Sequence, residues 1–128
     1  MPVLGVVAVA AVVGAAASSP AAAGDPARGA AIVASRAIGL CVLCHPVPGV
    51  AAVQAGNLAP DLAGVGARFS AAQLRERLID PARFNPQTVM PSATRTEGLA
   101  RVAGVRRGRP LLDAQQLEDV IAYLETLR

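Results

Sequence analysis

Cys41-Val42-Leu43-Cys44-His45 contains both cysteines and the only histidine of this 128-residue chain. The spacing Cys-x-x-Cys-His is that of a covalent attachment site for a c-type haem. Two thiols three residues apart on one turn of backbone can add to the two vinyl groups along one porphyrin edge and form thioethers. An imidazole directly after the second thiol can swing beneath the ring and supply the proximal nitrogen to iron. Three other readings of the pair stand beside this one. A redox dithiol of the thioredoxin type wants a βαβ context, which the chain does not offer. A structural zinc site needs four ligands, and Cys41, Cys44 and His45 supply three. The pair could also close as an ordinary disulfide in an exported chain.

Upstream of the motif, residues 1 to 23 read as a secretory leader. An apolar run from Val3 to Ala17 is broken by Ser18-Ser19-Pro20 and followed by Ala21-Ala22-Ala23, which places cleavage after Ala23. The run is 15 residues long, short of the roughly 20 that a membrane-spanning helix needs, so cleavage is expected and no stable membrane anchor. No Lys or Arg precedes the run, which reduces the positive n-region to the amino group of the chain. Thioether attachment of haem is an extracytoplasmic process, which agrees with export of the chain.

The remaining 105 residues, Gly24 to Arg128, are one domain by length. Phe69, Phe84 and Tyr123 are its only aromatic residues. A core so poor in large side chains is marginal at this size, and a covalently held apolar macrocycle would supply much of the missing buried area. Net charge is +3, and all twelve basic residues are arginine. No continuous basic stretch is interleaved with aromatics, so no nucleic-acid partner is expected.

Three helices are legible. The first opens on Asp25 as N-cap with Pro26 at the first helical position and runs to about Arg36. The second starts in the capping box Ser70-Ala71-Ala72-Gln73, carries Leu74, Leu78 and Ile79, and stops at Asp80-Pro81. The third is capped by Asp113, and its apolar positions Leu117, Val120, Ile121, Leu124 and Leu127 recur at steps of three and four. Between them lie loops dense in Gly and Pro without strand-like alternation. The predicted class is all-α, with N- and C-terminal helices packed around an attached haem.

An electron-transfer haem needs a second axial ligand, and elimination leaves one candidate. His45 is the only histidine, lysine is absent, and the thiols belong to the porphyrin. Met1 leaves with the leader, so Met90, in Thr88-Val89-Met90-Pro91, is the remaining methionine. Its thioether is a soft neutral ligand that, paired with histidine, favours the ferrous state and raises the potential. The competing assignments are a methionine that only fills the core and a five-coordinate, open iron. With both axial positions filled the iron cannot readily bind substrate, and outer-sphere electron transfer is expected. No catalytic residue is predicted: there is no second histidine for an acid–base pair and no serine in a nucleophile motif.

Beyond these features, Gly56-Asn57-Leu58-Ala59-Pro60-Asp61-Leu62-Ala63-Gly64-Val65-Gly66-Ala67-Arg68-Phe69 and the following Ala72-Gln73-Leu74-Arg75 resemble the SoxX family, the monohaem cytochrome subunits of the sulfur-oxidation complex SoxAX. So do Ile79-Asp80-Pro81, Asn85 to Pro91, Gly98 to Val102, Arg107-Gly108-Arg109-Pro110-Leu111-Leu112 and Gln115 to Leu124, so that nearly all of the chain after the leader is covered in the same order. The haem motif and C-terminal helix are shared with most class I cytochromes c. The segment around Met90 and the run from Arg107 to Leu112 are more specific.

The resemblance implies a single class I cytochrome c domain with one covalent haem c. Cys41 and Cys44 hold the ring, His45 and Met90 are the axial ligands, and the carbonyl of Pro60 receives the N–H of the proximal imidazole, which fixes its orientation. It also implies a SoxA-like cytochrome subunit as heterodimer partner, at whose haem thiosulfate is joined to a cysteine of the carrier SoxYZ, and a soluble cytochrome that takes the electrons away. The alternative is a freely diffusing class I cytochrome c outside that pathway. Two departures stand out: Ala59 where the family generally has Gly, and Ala93-Thr94 where tyrosines are expected, which would alter a partner-facing surface. Arg68, Arg95, Arg101, Arg106, Arg107 and Arg109 could pair with haem propionates or form a solvated basic surface, and the cluster from Arg101 to Arg109 could dock a partner electrostatically.

Overall fold

The computed structural model describes residues 21–128, so most of the leader read over residues 1 to 23 lies outside the described residues. The four α-helices are α1 (Pro26–Ala34), α2 (Val65–Arg68), α3 (Ala71–Ile79) and α4 (Ala114–Thr126). Single 3-10 turns lie at Cys41–Leu43, Ala52–Gln54, Pro81–Arg83 and Gly104–Arg106, and no strand occurs among the described residues. The fold is all-α, as the periodicities predict.

Each long helix begins where its cap chemistry dictates. Asp25 accepts the first free N–H groups of α1, from Ala27 at 2.8 Å and Arg28 at 3.1 Å. Ser70 with Gln73, and Asp113 with Gln116, form complete reciprocal capping boxes at the starts of α3 and α4. Helix α1 ends at Ala34, two residues before the predicted Arg36. The reason is Ser35: its hydroxyl accepts from Ala37 N (3.2 Å) and Ile38 N (3.0 Å), a local turn that competes with continuing the helix.

Helices α1 and α4 pack at close range because glycine stands where they meet. Gly29 is buried, and a Cβ there would collide with the backbone carbonyl of Asp119; one on Gly24 would collide with that of Glu118. Ile32 and Val33 of α1 meet Leu117, Val120, Ile121 and Leu124 of α4 in the core. Beside them Asp119, only 2% exposed, accepts from Asp25 N (2.8 Å), Arg28 Nε (2.8 Å) and Gln115 Nε2 (3.1 Å). A buried carboxylate with that many donors is fully satisfied, which is what makes its burial tolerable.

Helix α2, too short to show periodicity, docks by Gly66, whose N–H donates to Leu127 O at 2.9 Å and whose Cα lies too near the end of α4 for a side chain. Helix α3 buries Leu74 and Leu78 and is clamped to α4 by the fork of Arg75 on Glu118, with Nη2 to Oε2 at 2.7 Å. Its end carries the next loop: Ala93 N donates to Leu78 O (2.8 Å), and Leu112 N donates to Ala93 O (2.9 Å). Ala93 is therefore core, 3% exposed, so at that position the departure from the resembled family falls in the interior and not on a partner-facing surface. No aromatic residue belongs to the buried core, which is built of Val, Leu, Ile and Ala.

Candidate functional site

The Cys41–Leu43 turn is entered through Leu40 at φ 62°, a left-handed conformation that costs a residue with a Cβ about 1–2 kcal/mol. The turn itself is held by Cys44 N and His45 N, which both donate to Cys41 O at 3.1 and 3.0 Å. Val42, 1% exposed, plugs it into the core. Both sulfurs are carried by this one turn and are not joined to each other as a disulfide. Burial pushes the Cys41 thiol up to about 11. A reactive redox dithiol needs its thiolate stabilised, whereas a site that favours neutral sulfur suits a thioether. The zinc reading also lacks geometry, since no three His, Cys, Asp or Glu residues are grouped to hold a metal ion among the described residues.

A loop wraps the motif. Gly56 N donates to Val42 O (2.8 Å), Ala59 N to Cys44 O (3.0 Å) and Leu62 N to Pro46 O (3.1 Å). Gly56 is required by contact, because a Cβ there would strike the Leu43 carbonyl. These bonds bring Pro60 O to 2.6 Å from His45 Nδ1. A carbonyl oxygen can only accept, so Nδ1 carries the proton and Nε2 keeps a lone pair for a metal.

Met90 is partly buried against the same apolar cluster as Cys41. It ends a chain of small turns: Thr88 N donates to Asn85 O at 3.0 Å and Met90 N to Thr88 Oγ1 at 3.1 Å. Two thiols on one turn that are not joined to each other, an imidazole tethered by a carbonyl and a methionine packed against the same cluster together fit a covalently attached haem.

The arginines divide. Arg68 is engaged with Ala63 O (2.8 Å) and Asp61 O (3.2 Å), Arg106 with Ala37 O (2.5 Å), and Arg95 with Asp80 (3.7 Å). Arg101, Arg107 and Arg109 make no ion pair or side-chain hydrogen bond among the described residues. Sequence reasoning did not find Arg77, whose guanidinium lies over the rings of Phe69 and Phe84, 4.1 and 4.2 Å from their centroids. Arg75-Glu76-Arg77 reads as an ordinary charged helix face, and only the packing singles out its last member.

A covalent-haem motif on an all-α domain with a tethered imidazole defines a cytochrome c. The cytochrome c family model matches residues 26–128, and the chain belongs to that family. It carries a covalent haem c, and its one Cys-x-x-Cys-His segment provides for a single ring. A chain of the crystal structure of SoxXA from P. pantotrophus is 36% identical, with 83% of each chain covered and a TM-score of 0.73. No curated protein matches. Within the family the chain is thus of the SoxX type, an electron-transfer cytochrome c.

Proposed function

We propose that this chain is the monohaem subunit of a SoxAX-type L-cysteine S-thiosulfotransferase in the periplasm. Its exported form starts at Gly24, after removal of residues 1 to 23. It accepts electrons from a SoxA-like subunit, where thiosulfate is joined to a cysteine of a SoxYZ-type carrier, and passes them to a soluble cytochrome. Joining two sulfurs into one S–S bond releases two electrons, so a single-haem subunit must hand them on one at a time. When bound, the haem supplies that one-electron exchange through its iron.

The residues divide the work of holding it. Cys41 and Cys44 fix the ring edge through neutral thioethers. His45 presents Nε2, and the Pro60 carbonyl both orients the imidazole and strengthens it as a donor. Met90 would supply a thioether as the second iron ligand, which would keep substrate off the iron and raise the potential. Arg101, Arg107 and Arg109 supply positive charge for docking an acidic partner surface.

The observation that carries the pathway assignment is 36% identity over 83% of both chains to a protein of the SoxXA complex. The test is native co-purification followed by thiosulfate-dependent reduction of the haem with SoxA-type and SoxYZ-type proteins added. Co-elution and reduction are expected. A chain that elutes alone and stays oxidised is a free electron carrier instead.

A further inference from the structure

We propose that Arg77 is a positioning residue for Met90: stacked on Phe69 and Phe84, it pins the start of the methionine loop to helix α3 and so keeps the loop shut over the iron. The proposal rests on the reading of Met90 as axial ligand.

The loop from Phe84 to Ala93 is anchored to α3 at both ends. Downstream of Met90, Ser92 Oγ donates to Ile79 O (2.5 Å) and Ala93 N to Leu78 O (2.8 Å). Upstream, the 3-10 turn Pro81–Arg83 delivers Phe84, and Asn85 N donates to Pro81 O at 3.1 Å. From there the chain is stiffened step by step, by Gln87 N on Asn85 Oδ1 (3.0 Å), Thr88 N on Asn85 O (3.0 Å) and Met90 N on Thr88 Oγ1 (3.1 Å). Displacement of Phe84 therefore propagates to Met90.

The N–H of Phe84 donates to Pro81 O (3.1 Å), and its side chain rests on Arg77. Its ring is 43% exposed and is not one of the residues packed against the core. The guanidinium of Arg77 lies 4.2 Å from its centroid and 4.1 Å from that of Phe69, which caps the end of α2. Two of the three aromatic residues of the chain are spent on this one cation. The arrangement is costly on its polar side: Arg77 Nε is buried without a hydrogen-bond partner, and Arg77 makes no ion pair among the described residues. The two ring faces are the compensation, and a planar guanidinium suits a slot between rings where a lysine ammonium does not.

The test is imidazole binding to the ferric holoprotein, since exogenous imidazole must displace the methionine, together with the far-red methionine-to-iron band. Arg77→Leu and Phe84→Leu are expected to tighten imidazole binding by about tenfold, the scale of losing a desolvated cation–π contact, with Arg77→Lys intermediate. In a Met90→Ala background the Arg77 substitution changes imidazole binding no further. Phe84 is half-exposed, so its variant decides the question if Arg77→Leu does not fold. Imidazole affinity that stays within twofold of wild type in Phe84→Leu overturns the proposal. A far-red band that survives Met90→Ala overturns instead the ligand assignment beneath it.

Discussion

Asp119 shows at single-residue scale how this fold tolerates a carboxylate in its interior. The Arg28 guanidinium holds its carboxyl well below the usual carboxylate range, helped by the Asp25 N–H and the Gln115 amide, against the opposing effect of burial. Arg75 likewise lowers Glu118. A carboxyl whose folded-state value is depressed contributes stability that is complete above its unfolded value, about 3.9 for Asp, and that is lost as pH falls toward the folded value. Thermal melts followed by circular dichroism should therefore show Tm falling as pH drops below about 4. Asp119→Asn should lower Tm at neutral pH and flatten that acid limb; a wild-type melt insensitive to pH between 5 and 2 would remove Asp119 from this role. The site residues were unequally legible at this scale. Cys41, Cys44 and His45 announce their chemistry by spacing, and Met90 emerges by elimination because the chain has so few soft ligands. Pro60 came only from resemblance, since a backbone carbonyl has no side-chain signature. Arg77 was invisible because its role depends on two aromatic residues seven or eight positions away.

At the scale of elements, the fold turns on the meeting of α1 and α4. Gly29 is its tightest point, and Gly29→Ala would force the helices apart at a cost of about 1–3 kcal/mol. For a domain of this size that lowers Tm by about 4 °C or more, readable in the same melts; an unchanged Tm would mean that the helices can separate locally without penalty. The helix starts were legible because side-chain caps are local: Asp25-Pro26, Ser70 with Gln73 and Asp113 with Gln116 each satisfy N–H groups within one turn. Helix α2 was not, because four residues carry no period and its place is set by a glycine contact with α4. The end of α1 was misjudged by two residues for a similar reason: the hydroxyl of Ser35 decides it, and hydrophobic pattern does not report on that competition.

The whole molecule has a core of short aliphatic side chains, and its largest fully buried ones are valines. That much apolar area is meagre for about 100 residues, and the covalent haem is the expected supplement. Cys41→Ala with Cys44→Ala should yield a chain that loses haem to acid-acetone and, once stripped, unfolds without a cooperative transition. A stripped variant that still melts cooperatively would show that the aliphatic core suffices alone. On this view the haem is both the electron carrier and a structural member, and the proposed ligation by Met90 is what would keep substrate from its iron. The ferric far-red absorption of wild type and of Met90→Ala, with haem attachment checked by acid-acetone, tests that directly. The methionine-to-iron band should be present in wild type and absent in Met90→Ala, with the haem still covalently bound in both. A band that persists in the variant would remove Met90 as the ligand, and a band missing from wild type would contradict a methionine-closed iron and with it the account of this protein as a pure electron-transfer subunit.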